Sequence, residues 1–287
     1  MPTLAAGSKP PRARRVWPVG DSGHGRRGLA QLGFTLIELM TSMTILTIIL
    51  LITGRIITAA QSSVRAAEKS ITVDQTHRQV VQVMRRDFAQ MISLQPARPV
   101  WEKLPGNDSF SLWVHRKGYA GDANSADRDL SLVQYVLDDE GACYRACLGY
   151  SYEALPPWQD RQTLPKIPDE NRQMLSEMML RMEIEFLWQN KNELERQAKP
   201  LNPEQSPTAV VITMAYLPTK QGKKLSQSQR RQIAEIFDDA SENQEIRETW
   251  SEALTRATRS PVSGISASVF ADVRVKQHTF LLPSHEN

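Results

Sequence analysis

A chain of 287 residues with 40% hydrophobic content is long enough for one large or two modest domains and apolar enough to bury a core, so globular structure is expected. The formal charge of +3 sits in residues 1–33, where Lys9, Arg12, Arg14, Arg15, Arg26 and Arg27 face the single acid Asp21. That net of +5 leaves −2 for the remainder, which excludes a basic groove for nucleic acid in the body of the protein.

Residues 34–53 read FTLIELMTSMTILTIILLIT, with 13 large apolar residues in 20 and every polar one a Thr or Ser except Glu38. At ~1.5 Å per residue, 20 helical residues span ~30 Å, the thickness of a bilayer core. The hydroxyls are tolerated there because they can bond back to carbonyls one turn earlier. Arg26 and Arg27 precede the run and few basic residues follow it closely, although Arg55 and Arg65 weaken the asymmetry. The positive-inside rule therefore keeps the N-terminus cytoplasmic and carries everything after about residue 57 across the membrane. A secretory signal would put its small-residue cleavage site after the apolar stretch. Here Gly33 stands before it, so a cut at that junction would leave the membrane helix in the mature protein.

The run Gly33-Phe34-Thr35-Leu36-Ile37-Glu38-Leu39-Met40 resembles the processing site of type IV prepilins and type II secretion pseudopilins. The resemblance implies that a prepilin peptidase cuts after Gly33 and methylates the new amino group of Phe34. Glu38 can also be argued from charge alone. An ionisable residue in a membrane span needs a partner, and the nearest cation in a bundle of like chains is the amine released at Phe34 of a neighbour. Pairing the two in a low dielectric would neutralise both and fix the stagger between subunits.

Between Gly54 and Pro96 there is neither glycine nor proline, and the composition favours helix throughout. One helix from about residue 34 to 93 is expected, with Gly54 and the polar residues near 61–63 as places to bend. Val81, Met84, Phe88 and Met91, with Val80 and Ile92 beside them, draw an apolar stripe that calls for a sheet to lie on.

After Pro96 the chain reads mainly as strands. Phe110, Leu112 and Val114 alternate with polar or edge positions, and residues 132–137 lead through Asp138-Asp139-Glu140-Gly141 into residues 142–148, a hairpin signal. On that second strand Cys143 and Cys147 share a face but stand roughly 13 Å apart at ~3.3 Å per residue. They read as apolar fillers, since bridged Cα atoms approach within about 7 Å. Met182, Ile184, Phe186 and Trp188 alternate with Glu183, Glu185 and Leu187, which predicts a half-buried strand. Residues 208–217 and 273–282 complete the strands. Between them, residues 226–260 are charged and helix-prone, with Ile233, Phe237, Ile246, Trp250 and Leu254 as apolar marks, and read as a helical insertion packed on the sheet edge.

The order of these pieces, including Tyr144-Arg145 in the hairpin, a strand ending in Trp188 and Pro207-Thr208-Ala209-Val210-Val211-Ile212, is similar to that of the J-type minor pseudopilin of type II secretion. No catalytic set stands out: His24, His77, His115, His278 and His285 have no metal spacing, and phosphate loops and nucleophile elbows are missing. Asp122, Asn124, Asp127 and Asp129 gather oxygen ligands within eight residues, but Ala126 and Asp127 break the calcium-loop template, so a solvated loop is the better reading and no cofactor is expected.

The expected organisation is therefore a leader over 1–33, a transmembrane and assembly segment over 34–57, an amphipathic half-helix over 58–95 and a β-rich periplasmic head over 96–287. The fold class is α+β, a long N-terminal helix on an antiparallel sheet. The expected function is that of a non-enzymatic minor pseudopilin in the inner membrane, a subunit of a type II secretion or type IV pilus-like filament. Its partners would be the prepilin peptidase, other pilin-like subunits and lipid, not nucleic acid. The competing reading is a single-span envelope receptor with an uncleaved anchor.

Overall fold

The computed structural model describes residues 35–92, 98–115, 130–150, 167–190, 193–199, 207–241 and 244–283. Two compact units divide the chain, Met1–Thr58 and Ala59–Asn287.

Helix α1, Leu36–Ala89, contributes to both. It runs unbroken through Gly54 and the polar residues near 61–63, because nothing there removes a backbone donor. In its first stretch the hydroxyls do turn back on the helix: Thr41 to the Glu38 carbonyl at 3.0 Å, Thr44 to Met40 and Thr47 to Met43 at 2.8 Å, and Thr58 to Gly54 at 2.9 Å. The helix stops at Ala89, earlier than the composition predicts. Met91–Ile92 leave it to become β1, pairing with Trp113 and Val114, and the His115 amide donates to the Gln90 carbonyl. Strand pairing thus claims residues whose local preference was still helical.

The remaining strands are β2 Val100–Glu102, β3 Ser109–Val114, β4 Leu130–Leu137, β5 Cys143–Tyr150, β6 Arg172–Ser176, β7 Met179–Asn190, β8 Glu193–Gln197, β9 Ala209–Tyr216 and β10 Arg274–Leu281. They form two antiparallel sheets. The first runs β1-β3-β4-β5-β6 with β2 also on β3, and the second runs β10-β9-β7-β8. The β4–β5 hairpin turns at Gly141, whose φ of +85° suits glycine, and a Cβ there would sit 3.1 Å from the Met179 carbonyl oxygen.

One core joins α1 to both sheets. Val73, Val80, Val81, Met84 and Phe88 meet Phe110, Leu112, Val133 and Tyr135 from the first sheet and Met182, Ile184, Phe186, Ile212 and Met214 from the second. Phe88 stacks on Phe280 at 4.4 Å between ring centroids. Each such side chain contributes roughly 1.5–3 kcal/mol by leaving water. Cys143 and Cys147 lie in this core as free thiols on one strand face.

The strands are buried more fully than their alternation predicts. All six residues of β3 are buried, because Trp113 enters a separate cluster with Leu130, Leu132, Ala146 and Ile167 on the far side of its sheet. In β7 both Glu183 and Glu185 are buried as well. Their cover is the insertion, formed by α2 Thr219–Gly222, α3 Gln227–Ala234, α4 Ile246–Arg259 and α5 Ala267–Asp272. Ile233, Phe237, Ile246 and Trp250 pack with Leu180, Ala215 and Leu217. The insertion therefore lies on the outer face of the second sheet rather than on its edge. Ala215, next to the end of β9, lies in the same buried cluster as the bulky Trp250 and Phe237. Helix α3 opens with a capping box, in which Ser226 accepts from the Gln229 amide at 3.2 Å and Gln229 accepts from the Ser226 amide at 3.0 Å.

Candidate functional site

The N-terminal end of α1 is one candidate. Every described residue from 35 to 58 is exposed, and Leu36 keeps 78% of its surface accessible. The segment is long and apolar enough to cross a membrane, and none of that apolar window is buried within the chain. Large apolar side chains on all sides of a helix need an apolar solvent or other helices around them.

Glu38 stands at the start of this segment. It accepts hydrogen bonds from the Thr35 amide at 3.0 Å and the Thr35 hydroxyl at 2.9 Å, while that hydroxyl accepts from the Glu38 amide at 3.3 Å. Thr35 is thus the N-cap and Glu38 the third helical residue of a reciprocal capping box. Sequence reasoning assigned Glu38 a charge-pairing role and missed this one, although Thr35-Leu36-Ile37-Glu38 spells the box directly. The two roles are compatible: a carboxylate has more acceptor sites than Thr35 occupies. Gly33 and Phe34 lie outside the described residues, as do the leader and the loop residues Asp122, Asn124, Asp127 and Asp129. Among the described residues no group of three or more His, Cys, Asp or Glu side chains could hold a metal ion.

Two ionic clusters inside the head escaped the sequence reading. In the first, Asp87 of α1 is buried against β4 and β5. Arg145 grips it with both arms, Nε to Oδ2 at 2.6 Å and Nη2 to Oδ1 at 3.0 Å, and the Tyr135 hydroxyl donates to Oδ2 at 2.5 Å. Burial opposes the Arg145 charge, but the bonds to Asp87 outweigh it and hold the guanidinium ionised; burial and the Asp87 charge push the Tyr135 phenol well up. Such a pair positions the helix on the sheet and leaves no free group for chemistry. Asp87 stands beside Phe88 in the apolar stripe, which is the only trace of it in the sequence.

The second cluster lies between the sheets and the insertion. Lys103, just after β2, donates to Asp108 at 2.5 Å, to Glu183 at 2.6 Å and to the Ile184 carbonyl at 2.8 Å. Asp108 also accepts from the amides of Ile184 at 2.7 Å and Leu104 at 3.3 Å. Beside them Arg181 pairs with Asp239, and Arg196 with Glu185 at 3.0 Å. Burial is the first cause that raises both Asp108 and Glu183, the latter to about 7. A cleft of about 220 Å³ between α1 and the ends of β6 and β9 is lined by Thr72, Thr76, Ser176, Glu177, Met178 and Tyr216 and holds no comparable convergence of ions.

Residues 29–54 match the family described as the prokaryotic N-terminal methylation motif. The resemblance to type IV pilins and pseudopilins read from Gly33 to Met40 stands on that match, without singling out a J-type subunit. Among solved structures, the chain is similar to one from the GspK–GspI–GspJ complex of the type 2 secretion system of enterotoxigenic Escherichia coli. That match has 14% identity and a TM-score of 0.33, covering 49% of this chain and 86% of the other. It is also similar to a type IV-like pilin from Thermus thermophilus, at 12% identity and a TM-score of 0.35, covering 74% and 97%. No curated protein sequence matches it closely.

Proposed function

We propose that the protein is a minor pilin-like subunit, made with a cytoplasmic leader over residues 1–33 and anchored in the inner membrane by the segment 34–57. A prepilin peptidase removes the leader after Gly33 and methylates Phe34, and the head works beyond the membrane among other pilin-like subunits. The observation that carries this reading is the methylation motif at residues 29–54 continuing into a helix whose apolar residues find no cover among the described residues. A helix left bare on all sides fits lipid before assembly and a bundle of like helices after it.

In that bundle the Glu38 carboxylate is capped by Thr35 and offers its remaining lone pairs to the methylated amine of a neighbouring Phe34. The role is structural: the ionic clusters of the head are spent on holding its own elements together. The size of the head, residues 96–287, fits a low-copy subunit better than a major one.

Co-expression with a prepilin peptidase followed by intact-mass and N-terminal analysis tests the reading. The expected product begins at methylated Phe34, and Gly33→Val abolishes the shift. A product that keeps its leader with the peptidase present, wild type and variant alike, would instead mark an uncleaved single-span anchor.

A further inference from the structure

The cluster around Glu183 ties together three stretches that are remote in sequence. From the β2–β3 turn come Lys103 and Asp108; from β7 come Arg181 and Glu183; from the turn between α3 and α4 come Asp239 and the Ala240 amide. Glu183 Oε1 accepts from Lys103 and, at 3.0 Å, from the Ala240 amide, so it is a direct fastening of the insertion to the sheet. Asp239 fastens the same turn twice more, to Arg181 and to the Gly106 amide at 3.3 Å. The indole of Trp250 closes the loop from the other side, donating to the Asp238 carbonyl at 2.8 Å.

Counted as ionised, this cluster holds two cations, Lys103 and Arg181, against three carboxylates, Asp108, Glu183 and Asp239. The nearby Glu185 is matched by Arg196, which also faces Glu245 at 3.7 Å. One negative charge is left over, and the bonding pattern assigns it to Glu183. Asp108 is satisfied by three donors, and Asp239 is half exposed to water. Glu183 is fully buried, and its Oε2 has no partner among the described residues. Directly across the strand pair stands Thr213, whose buried hydroxyl is also without one. A proton on Oε2 would supply the missing donor toward that hydroxyl and remove the surplus charge in one step.

We infer that Glu183 is a proton-operated latch: protonated, it holds residues 238–241 of the insertion against the second sheet, and ionised, it loosens them. The direction follows from linkage. Burial raises Glu183 to about 7 from an ordinary 4.5, so the docked state binds a proton that the released state gives up. Docking is then strongest in acid and weakens as pH rises from about 4.5 through 7. Histidines do not mimic this. Burial lowers both His77 and His278, and neither belongs to the cluster.

Hydrogen exchange of residues 236–246 in the full chain in detergent, expressed as protection over the intrinsic rate, reads the latch. Protection is expected to fall by up to about a hundredfold between pH 5 and pH 8.5, with most of the fall complete by pH 7. Glu183→Gln, a near-isosteric and permanently neutral replacement that can itself donate to Thr213, is expected to hold the low-pH protection throughout. Asp239→Asn, which removes one fastening together with the surplus carboxylate, is expected to lower protection at pH 5 and to shrink its fall with pH. A flat wild-type profile, or a Glu183→Gln profile that still falls with pH, overturns the proposal.

Discussion

The two halves of α1 have the same backbone but opposite fates. From Leu36 to Thr58 every side chain is exposed, and the one acid, Glu38, is satisfied by a residue three positions away. From Ala59 to Ala89 the helix buries Val73, Val80, Val81, Met84 and Phe88, and its buried ion, Asp87, is satisfied by residues 48 and 58 positions on. The first half carries apolar residues on all faces and finds no cover among the described residues, as suits a helix built for an apolar environment. The second concentrates them on one stripe, and the chain itself supplies the sheet. A helix thus declares its solvent by how its apolar residues are distributed around it, not by how many it has.

The sharpest way to break this contrast is at Asp87. Arg145→Ala strips a fully buried carboxylate of its bidentate partner and is expected to destabilise the head by about 3–5 kcal/mol, measured by denaturant unfolding of the full chain in detergent. A loss below about 1 kcal/mol would show that the pair does not anchor the helix. Phe88→Ala, which opens a hole between α1 and Phe280, is expected to cost about 3–4 kcal/mol in the same measurement. Acid provides a milder probe. Burial lowers His77 to about 4, so the unfolded chain takes up a proton that the folded one refuses, and stability should fall as pH drops from about 6.5 toward 4. This is opposite in sign to Glu183, and His77→Gln is expected to remove the acid-side loss.

At the other end, Glu38 separates capping from charge. Glu38→Gln keeps an oxygen for the Thr35 amide but surrenders the charge, and neither it nor Glu38→Ala should move the unfolding of the head. Incorporation into filaments is expected to fail for both variants. Filament entry restored by Gln would show that the cap suffices and that the charge pairing is dispensable. The smallest effect is expected at Arg231, whose pairing with Asp139 at 2.7 Å lies between two exposed side chains. Arg231→Ala should cost less than about 1 kcal/mol, falling further in salt.

The contrast also explains what could be read without coordinates. Periodicity located α1, the β4–β5 hairpin and β7, because alternation and helical spacing are local properties of the chain. It misjudged how deeply β3 and β7 are buried, since alternation reports one covered face and is silent about a second layer. Glu183 and Glu185 looked solvent-facing because their cover, the insertion, begins more than 30 residues downstream. The helix end was misplaced for a similar reason: residues 91 and 92 are helix-compatible until β3 offers them hydrogen bonds. The capping box at Thr35 and Glu38 was legible and overlooked.

By itself, then, the sequence determined the long apolar helix, the motif at its start and the antiparallel strands, all of which depend on neighbours within a turn or a hairpin. Only the tertiary structure decided that Asp87 meets Arg145, that Lys103 lies between Asp108 and Glu183, and that the insertion covers a sheet face. Those pairings depend on which distant segments the collapse of a shared core brings together. The energy that selects them, the desolvation of a charge without a partner, exists only once the fold has taken the water away.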